Sequence, residues 1–173
     1  MRRVSSERVH EGAIVDVHSE VWVHEDGEEA EREVVIHPGA VGIVAWDAET
    51  VVLVRQPREA VEVPDLLEVP AGKLDVEGES RIECAQRELR EEVGIEARDW
   101  EEWKRLFTSP GFAREEVTIF GAQDLSEVAD HTADPEERIE VVRWPLADID
   151  GAIAACADAK SLIGLHMLRE LLG

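Results

Sequence analysis

Apolar and polar residues alternate from Ala13 to Val23, AIVDVHSEVWV, with the two-residue period of a half-buried strand. After the turn-like HEDGEEA the alternation returns in EREVVIH, 31–37. These stretches predict a small antiparallel β segment over 1–38. His37-Pro38-Gly39 punctuates the chain there, and the main domain is expected over 39–173. Two β-branched runs follow, AVGIVAW (40–46) and TVVLVRQ (50–56), joined by the short link DAE, and predict a central hairpin. The loop PREAVEVPD and the segment LLEVPAG then lead into a glycine-bearing loop.

At Ser80 the period changes. Ile82, Ala85, Leu89 and Val93 recur at helical spacing, and Ser80 with Glu83 forms a capping box. Gly94 stands where a glycine ends a helix, so the pattern predicts a helix from about 81 to 93 with one apolar face toward a sheet. Strands are expected at 101–108, 115–123 and 139–145, and LADIDGAIAACA and SLIGLHMLRELL read as amphipathic helices. The order strands, helix, strands, helices predicts an α+β fold, a mixed sheet flanked by helices, rather than a doubly wound βαβαβ pattern. No internal repeat or low-complexity linker interrupts it.

The 173 residues suit one domain, or one domain with a short appendage. No apolar run approaches the ~20 residues that cross a bilayer. The N-terminus MRRVSSERVHEGAIV lacks the apolar core of a signal peptide, so a cytoplasmic protein is expected. Cys84 and Cys156 lie far apart in apolar helical contexts and read as buried reduced thiols. The six histidines show no zinc-binding spacing, so any metal would be held by carboxylates. A formal charge of -22 argues against nucleic acid and anionic membranes as partners. Three lysines against fifteen arginines, with carboxylates throughout, resembles the composition of halophilic proteins, in which concentrated salt screens self-repulsion.

The predicted helix carries a chemical oddity. Glu88, Glu91 and Glu92 share one side of it, at spacings of three and four, away from the apolar stripe. Each like-charge neighbour costs ~0.2–0.5 kcal/mol in solvent, which a solvated face tolerates. They also fall in the last two turns, where the helix dipole disfavours negative charge, directly after Arg87. A hard divalent cation such as Mg²⁺ would relieve both effects. From spacing alone, a metal site and a solvated acidic face both stay open.

The surrounding residues add a resemblance. GKLDVEGESRIECAQRELREEVGI resembles the Nudix box: Glu79, seven residues, then Arg87-Glu88-Leu89-Arg90-Glu91-Glu92-Val93-Gly94-Ile95, with every fixed position of that family pattern filled. Six residues separate Gly72 from Glu79 where the pattern has five, so the loop is one residue longer. LLEVPAGKLD (66–75), the Gln-x-Arg of VRQPR (54–58) and TSPGF (108–112), with Pro110 sixteen residues after Gly94, resemble the ADP-ribose pyrophosphatase branch.

The resemblance implies a Nudix fold and Mg²⁺-dependent hydrolysis of ADP-ribose to AMP and ribose 5-phosphate, with Mn²⁺ as a possible substitute. Another nucleoside diphosphate derivative (an ADP-sugar, NADH, GDP-mannose) is the alternative substrate. A non-catalytic nucleotide sensor is the further alternative, disfavoured because the box glutamates are all present. By the same resemblance Glu88 and Glu92 are the principal metal ligands, with Glu91 and the Ala71 carbonyl completing the shell, and Glu79 and Arg87 orient them. Arg58, with Arg55, and Pro110, Gly111 and Glu115 are implied in substrate binding. The general base is implied on the loop HTADPEERIEVV (131–142), at Glu137 with Glu136 as the neighbouring choice, and Glu91 is a third catalytic candidate. Trp46 and Phe112 read as core positions rather than rings stacked on adenine. A homodimer, built partly by the N-terminal segment, is implied by the branch.

Overall fold

The computed structural model describes residues 1–129 and 138–173. The chain begins with β1 (Arg2–Glu11), β2 (Asp16–Val23) and β3 (Glu29–Ile36). There follow β4 (Ala40–Trp46), β5 (Thr50–Arg58), β6 (Val63–Glu68), β7 (Ala71–Lys73) and helix α1 (Arg81–Val93). Strands β8 (Ile95–Phe107), β9 (Ala113–Arg114), β10 (Glu116–Glu127) and β11 (Glu140–Pro145) precede helices α2 (Ile149–Ala155) and α3 (Ala159–Leu172). The mixed sheets and three α-helices are those of the expected α+β class. They divide into two compact units, one of residues 1–39 with 106–117 and one of 40–105 with 118–173.

The first unit is a four-stranded sheet in the order β1-β2-β3-β9. β2 and β3 pair antiparallel from Asp16↔Ile36 to Val23↔Glu29, the hairpin that the alternation predicts. β9 joins β3 in parallel at Val35↔Ala113 and Ile36↔Arg114. β1 is a strand that the pattern does not announce, because RRVSSERVHE has no apolar face and all ten residues are exposed. It forms by pairing with β2 along nearly its whole length, with shifts of register between Arg3 and Ser5 and between Arg8 and His10.

In the second unit the sheet runs β11-β5-β4-β10-β8, with β6 beside β5 and β7 beside β4. β4 and β5 are buried on both faces, as continuous apolar runs require. On one face α1 buries Cys84, Ala85, Leu89 and Val93 against Val41, Ile43, Val52, Val54 and Phe120. Each large side chain so buried contributes about 1.5–3 kcal/mol. α3 turns Ser161, Gly164, Leu165 and Leu168 inward, the i, i+3, i+4, i+7 stripe of a packed helix. Gly164 is needed for that approach, since a Cβ there would lie 2.6 Å from Val44 Cγ2.

Candidate active site

Helix α1 starts as its sequence specifies. Ser80 Oγ accepts the N–H of Glu83, while the Glu83 carboxylate accepts the N–H of Ser80 at 2.9 Å. It ends at Gly94, whose φ of 72° is the left-handed conformation that glycine adopts freely. These caps fix the rotation at which Glu88, Glu91 and Glu92 leave the helix.

The strap 69–72 meets two of those carboxylates. The N–H of Ala71 donates to Glu92 Oε2 at 3.2 Å. Gly72 passes so close to Glu88 that a Cβ at this position would lie 2.0 Å from Glu88 Cγ. The loop glycine is therefore a steric requirement: any side chain would displace Glu88. The strap is held in turn by the N–H of Ile43, which donates to the Pro70 carbonyl at 2.8 Å.

Arg87 runs through the cluster. Its Nε and Nη2 donate to the two oxygens of Glu79 at 2.8 and 3.0 Å, a bidentate pair. Its Nη1 donates to Glu88 Oε1 at 2.8 Å and to Glu91 Oε2 at 3.1 Å. Glu79 above all, then Glu91 and Glu88, hold this guanidinium protonated more firmly than usual, against the opposing effect of its burial. The Arg87 hydrogen bonds in turn hold the Glu79 carboxyl below its ordinary range. Cys84, buried beneath, has its thiol pushed up to about 12 by burial and then by the charge of Glu88, so it stays an inert core thiol.

Among the described residues, no three acidic, histidine or cysteine side chains already converge as a ready metal-binding group. The carboxylates are instead organised around positive charge, that of Arg87. The donor set nevertheless suits a hard divalent ion. It is all oxygen, it is anionic in excess, and two of its members are pinned by a backbone strap that leaves no room for a Cβ.

Arg58 is exposed over 39 % of its side chain and is tied by Nε to Glu68 Oε2 at 2.7 Å. Arg55 reaches the carbonyl of Asp65 at 3.5 Å. Trp46 is a core residue, its ring tilted by 45° against that of Trp103 with centroids 5.3 Å apart. Phe112 is not: 59 % of it is exposed, which corrects the core reading. The strand alternation around it could not show this, because Phe112 lies in a turn whose N–H bonds return to Ser109.

Pro110, Gly111 and Glu115 belong to the first unit. Pro110 and Gly111 border a cavity of about 660 Å³ with Trp22, Phe107, Phe112 and Arg114. Glu115 accepts from Thr108 Oγ1 at 2.6 Å and lies 3.3 Å from His37 Nδ1. Glu20, which also borders that cavity, is a residue the sequence reading did not single out. Its fully buried carboxylate accepts from Arg3 Nη1 at 2.8 Å, Arg114 Nη2 at 2.9 Å and Trp22 Nε1 at 3.2 Å. Burial raises its pKa, but the Arg114 and Arg3 guanidiniums outweigh that and hold it below the usual carboxylate range. Glu136 and Glu137 lie outside the described residues.

Comparison with known proteins agrees with this construction. The model of the NUDIX domain matches residues 36–161. The ADP-ribose pyrophosphatase of Bacillus subtilis (strain 168) is 36% identical over 172 residues, 97% of this chain and 92% of that protein. The ADP-ribose pyrophosphatase of Mycobacterium tuberculosis is 42% identical over 147 residues, 84% of this chain and 70% of that one. The crystal structure of an ADP compounds hydrolase superposes with a TM-score of 0.84 at 30% identity, covering 99% of this chain and 93% of the other. A capped helix with glutamates facing a glycine strap, a domain match over most of the chain and relatives aligned nearly end to end lead to one conclusion: the chain belongs to the Nudix hydrolase family.

Proposed function

We propose that this pyrophosphohydrolase cleaves the pyrophosphate bond of ADP-ribose, giving AMP and ribose 5-phosphate, with Mg²⁺ as its cofactor. The observation that carries the reading is the packing of Glu88 and Glu92 against the Ala71–Gly72 strap, with Arg87 linking Glu79, Glu88 and Glu91. The ADP-ribose pyrophosphatase relatives and the ADP compounds hydrolase support the choice of substrate.

Glu88 and Glu92, with Glu91 and the Ala71 carbonyl, would hold the ion. When bound, a divalent cation neutralises diphosphate charge and makes a water molecule more acidic. The chain's own residues do the rest. Arg58 and Arg55 bind phosphoryl oxygens, for which a planar guanidinium is suited. Pro110, Gly111 and Glu115 help to seat the substrate. Glu137, or its neighbour Glu136, accepts the proton of the attacking water as its oxygen bonds to one phosphorus and the bridging P–O bond breaks. Arg87 and Glu79 keep the ligands aligned. The N-terminal segment 1–38 serves dimerisation and substrate binding in this reading, and 39–173 forms the hydrolase domain.

A panel of ADP-ribose, ADP-sugars, NADH and GDP-mannose, incubated with protein and Mg²⁺ and resolved by chromatography, tests the proposal. Preferential release of AMP and ribose 5-phosphate is expected. Preference for another member of the panel would reassign the substrate. Glu137→Gln is expected to lower kcat by about 10²–10⁴-fold with KM nearly unchanged; full turnover in that variant would remove Glu137 from the role.

A further inference from the structure

The second unit contains an ion cluster apart from the box. Glu68, at the end of β6, is buried, with 3 % of its side chain exposed. One of its oxygens accepts from Arg58 Nε at 2.7 Å and the other from Lys160 Nζ at 2.5 Å. Lys160 also donates to Asp158 Oδ1 at 2.9 Å, and the same oxygen accepts the N–H of Ser161 at 3.1 Å, capping α3. Ser161 Oγ in turn accepts the N–H of Val69 at 2.8 Å. Two consecutive residues of α3 thus hold two consecutive residues of the chain, Glu68 and Val69, that leads through Pro70 into Ala71.

The charges explain why both cations are present. A buried carboxylate has to be compensated, and the cost of leaving it unpaired is large. Lys160 is itself mostly buried, with 15 % of its side chain exposed, and serves Glu68 and Asp158 together. Arg58 is the more exposed cation at 39 %, and it is the one expected to face substrate phosphates. With Lys160 on one oxygen, Glu68 does not depend on Arg58 alone. Without it, Arg58, already bonded to Glu68 Oε2, has to compensate the buried charge without the help of Lys160 and is held back from a ligand.

From this geometry we infer that Lys160 is a positioning residue for the substrate arginine: by sharing Glu68 it leaves the Arg58 guanidinium able to bind a phosphoryl oxygen. The inference rests on the reading that Arg58 contacts the diphosphate. Its reach is specific, since it concerns binding through Arg58 and not the carboxylates of the box.

Steady-state kinetics on a double-mutant cycle tests it. Lys160→Met is expected to raise KM for ADP-ribose roughly tenfold, with kcat within about twofold of the parent. Lys160→Arg, which keeps the cation, is expected to restore KM. Arg58→Ala is expected to raise KM by itself but to add less than about threefold in the Lys160→Met background, because both changes remove the same interaction. An unchanged KM in folded Lys160→Met, or effects that simply multiply, would overturn the inference while leaving the role of Arg58 intact. An unchanged KM in Arg58→Ala would overturn both. Thermal melts establish that each variant is folded, and Lys160→Gln is read in the same way where Lys160→Met is not. Should the substrate panel favour another nucleoside diphosphate derivative, the cycle is read on that compound, so an error in the substrate does not decide the test.

Discussion

Two arginine–glutamate clusters in this protein are near mirror images in charge. In the second unit one guanidinium, Arg87, is shared by Glu79, Glu88 and Glu91. In the first unit one carboxylate, Glu20, is shared by Arg3 and Arg114. The first arrangement sets three carboxylates around one guanidinium, two of them in the last turns of a helix that disfavour negative charge. The second leaves its carboxylate over-compensated. Both clusters are salt-bridged, but the excess runs opposite ways: three carboxylates meet one guanidinium in the box, and in the proposed function that is the charge a divalent cation would meet. Glu20 is complete as it stands and acts within its sheet by joining β2 to residues from β1 and β9.

The largest effect expected from breaking this contrast is on the box. Glu92→Gln or Glu88→Gln should lower turnover by on the order of a thousandfold, since several kcal/mol of charge stabilisation go with the ligand. EDTA should abolish turnover of the parent and added Mg²⁺ should restore it. Magnesium titrations of kcat are the measurement; a variant with parental kcat and parental Mg²⁺ requirement would show that its carboxylate is not a ligand.

Arg87→Ala should come next, costing about 10- to 100-fold in activity and raising the Mg²⁺ concentration needed for half-maximal rate, because the ligands lose their orientation rather than their identity. Arg87→Lys should recover only part of this, since an ammonium cannot reproduce the bidentate pair with Glu79.

Glu20→Gln should act on stability. Arg3 and Arg114 are 45 % and 43 % exposed and re-solvate readily, so the loss should be about 1–2 kcal/mol rather than the larger cost of a fully buried pair. Denaturant melts check this, and a change below about 0.3 kcal/mol would mean that the pairing is neutral.

The smallest effect is a pH dependence with a definite sign. Glu20 has a depressed pKa in the folded protein, so its contribution is fully present above its unfolded pKa of about 4.3 and is lost as the pH falls through the lower folded value. The difference in melting temperature between the parent and Glu20→Gln should therefore shrink in that acidic window and stay constant from about pH 6 to 8. A difference that grew on acidification would contradict the assignment.

The parts of the molecule legible in the sequence are those governed by near neighbours. α1 is bounded by Ser80, Glu83 and Gly94, all within or beside the helix, and its three glutamates share a side because the helical period puts them there. The continuous apolar runs of β4 and β5 likewise announce buried strands. β1 is not legible in the sequence, because nothing in RRVSSERVHE distinguishes it from a polar loop; its partner β2 makes it a strand. Glu20 sits at an apparently polar position of an alternating strand, yet it is the buried residue of that strand.

What the sequence alone determined was the local code: the caps, the period and the carboxylates on one helix side. What only the tertiary structure decided was which distant charges meet. Arg114 lies 94 residues from Glu20 and Lys160 lies 92 from Glu68, separations at which no local pattern carries information. Such pairs form because folding buries a carboxylate and the cost of leaving it unpaired selects whichever cation the packing brings alongside.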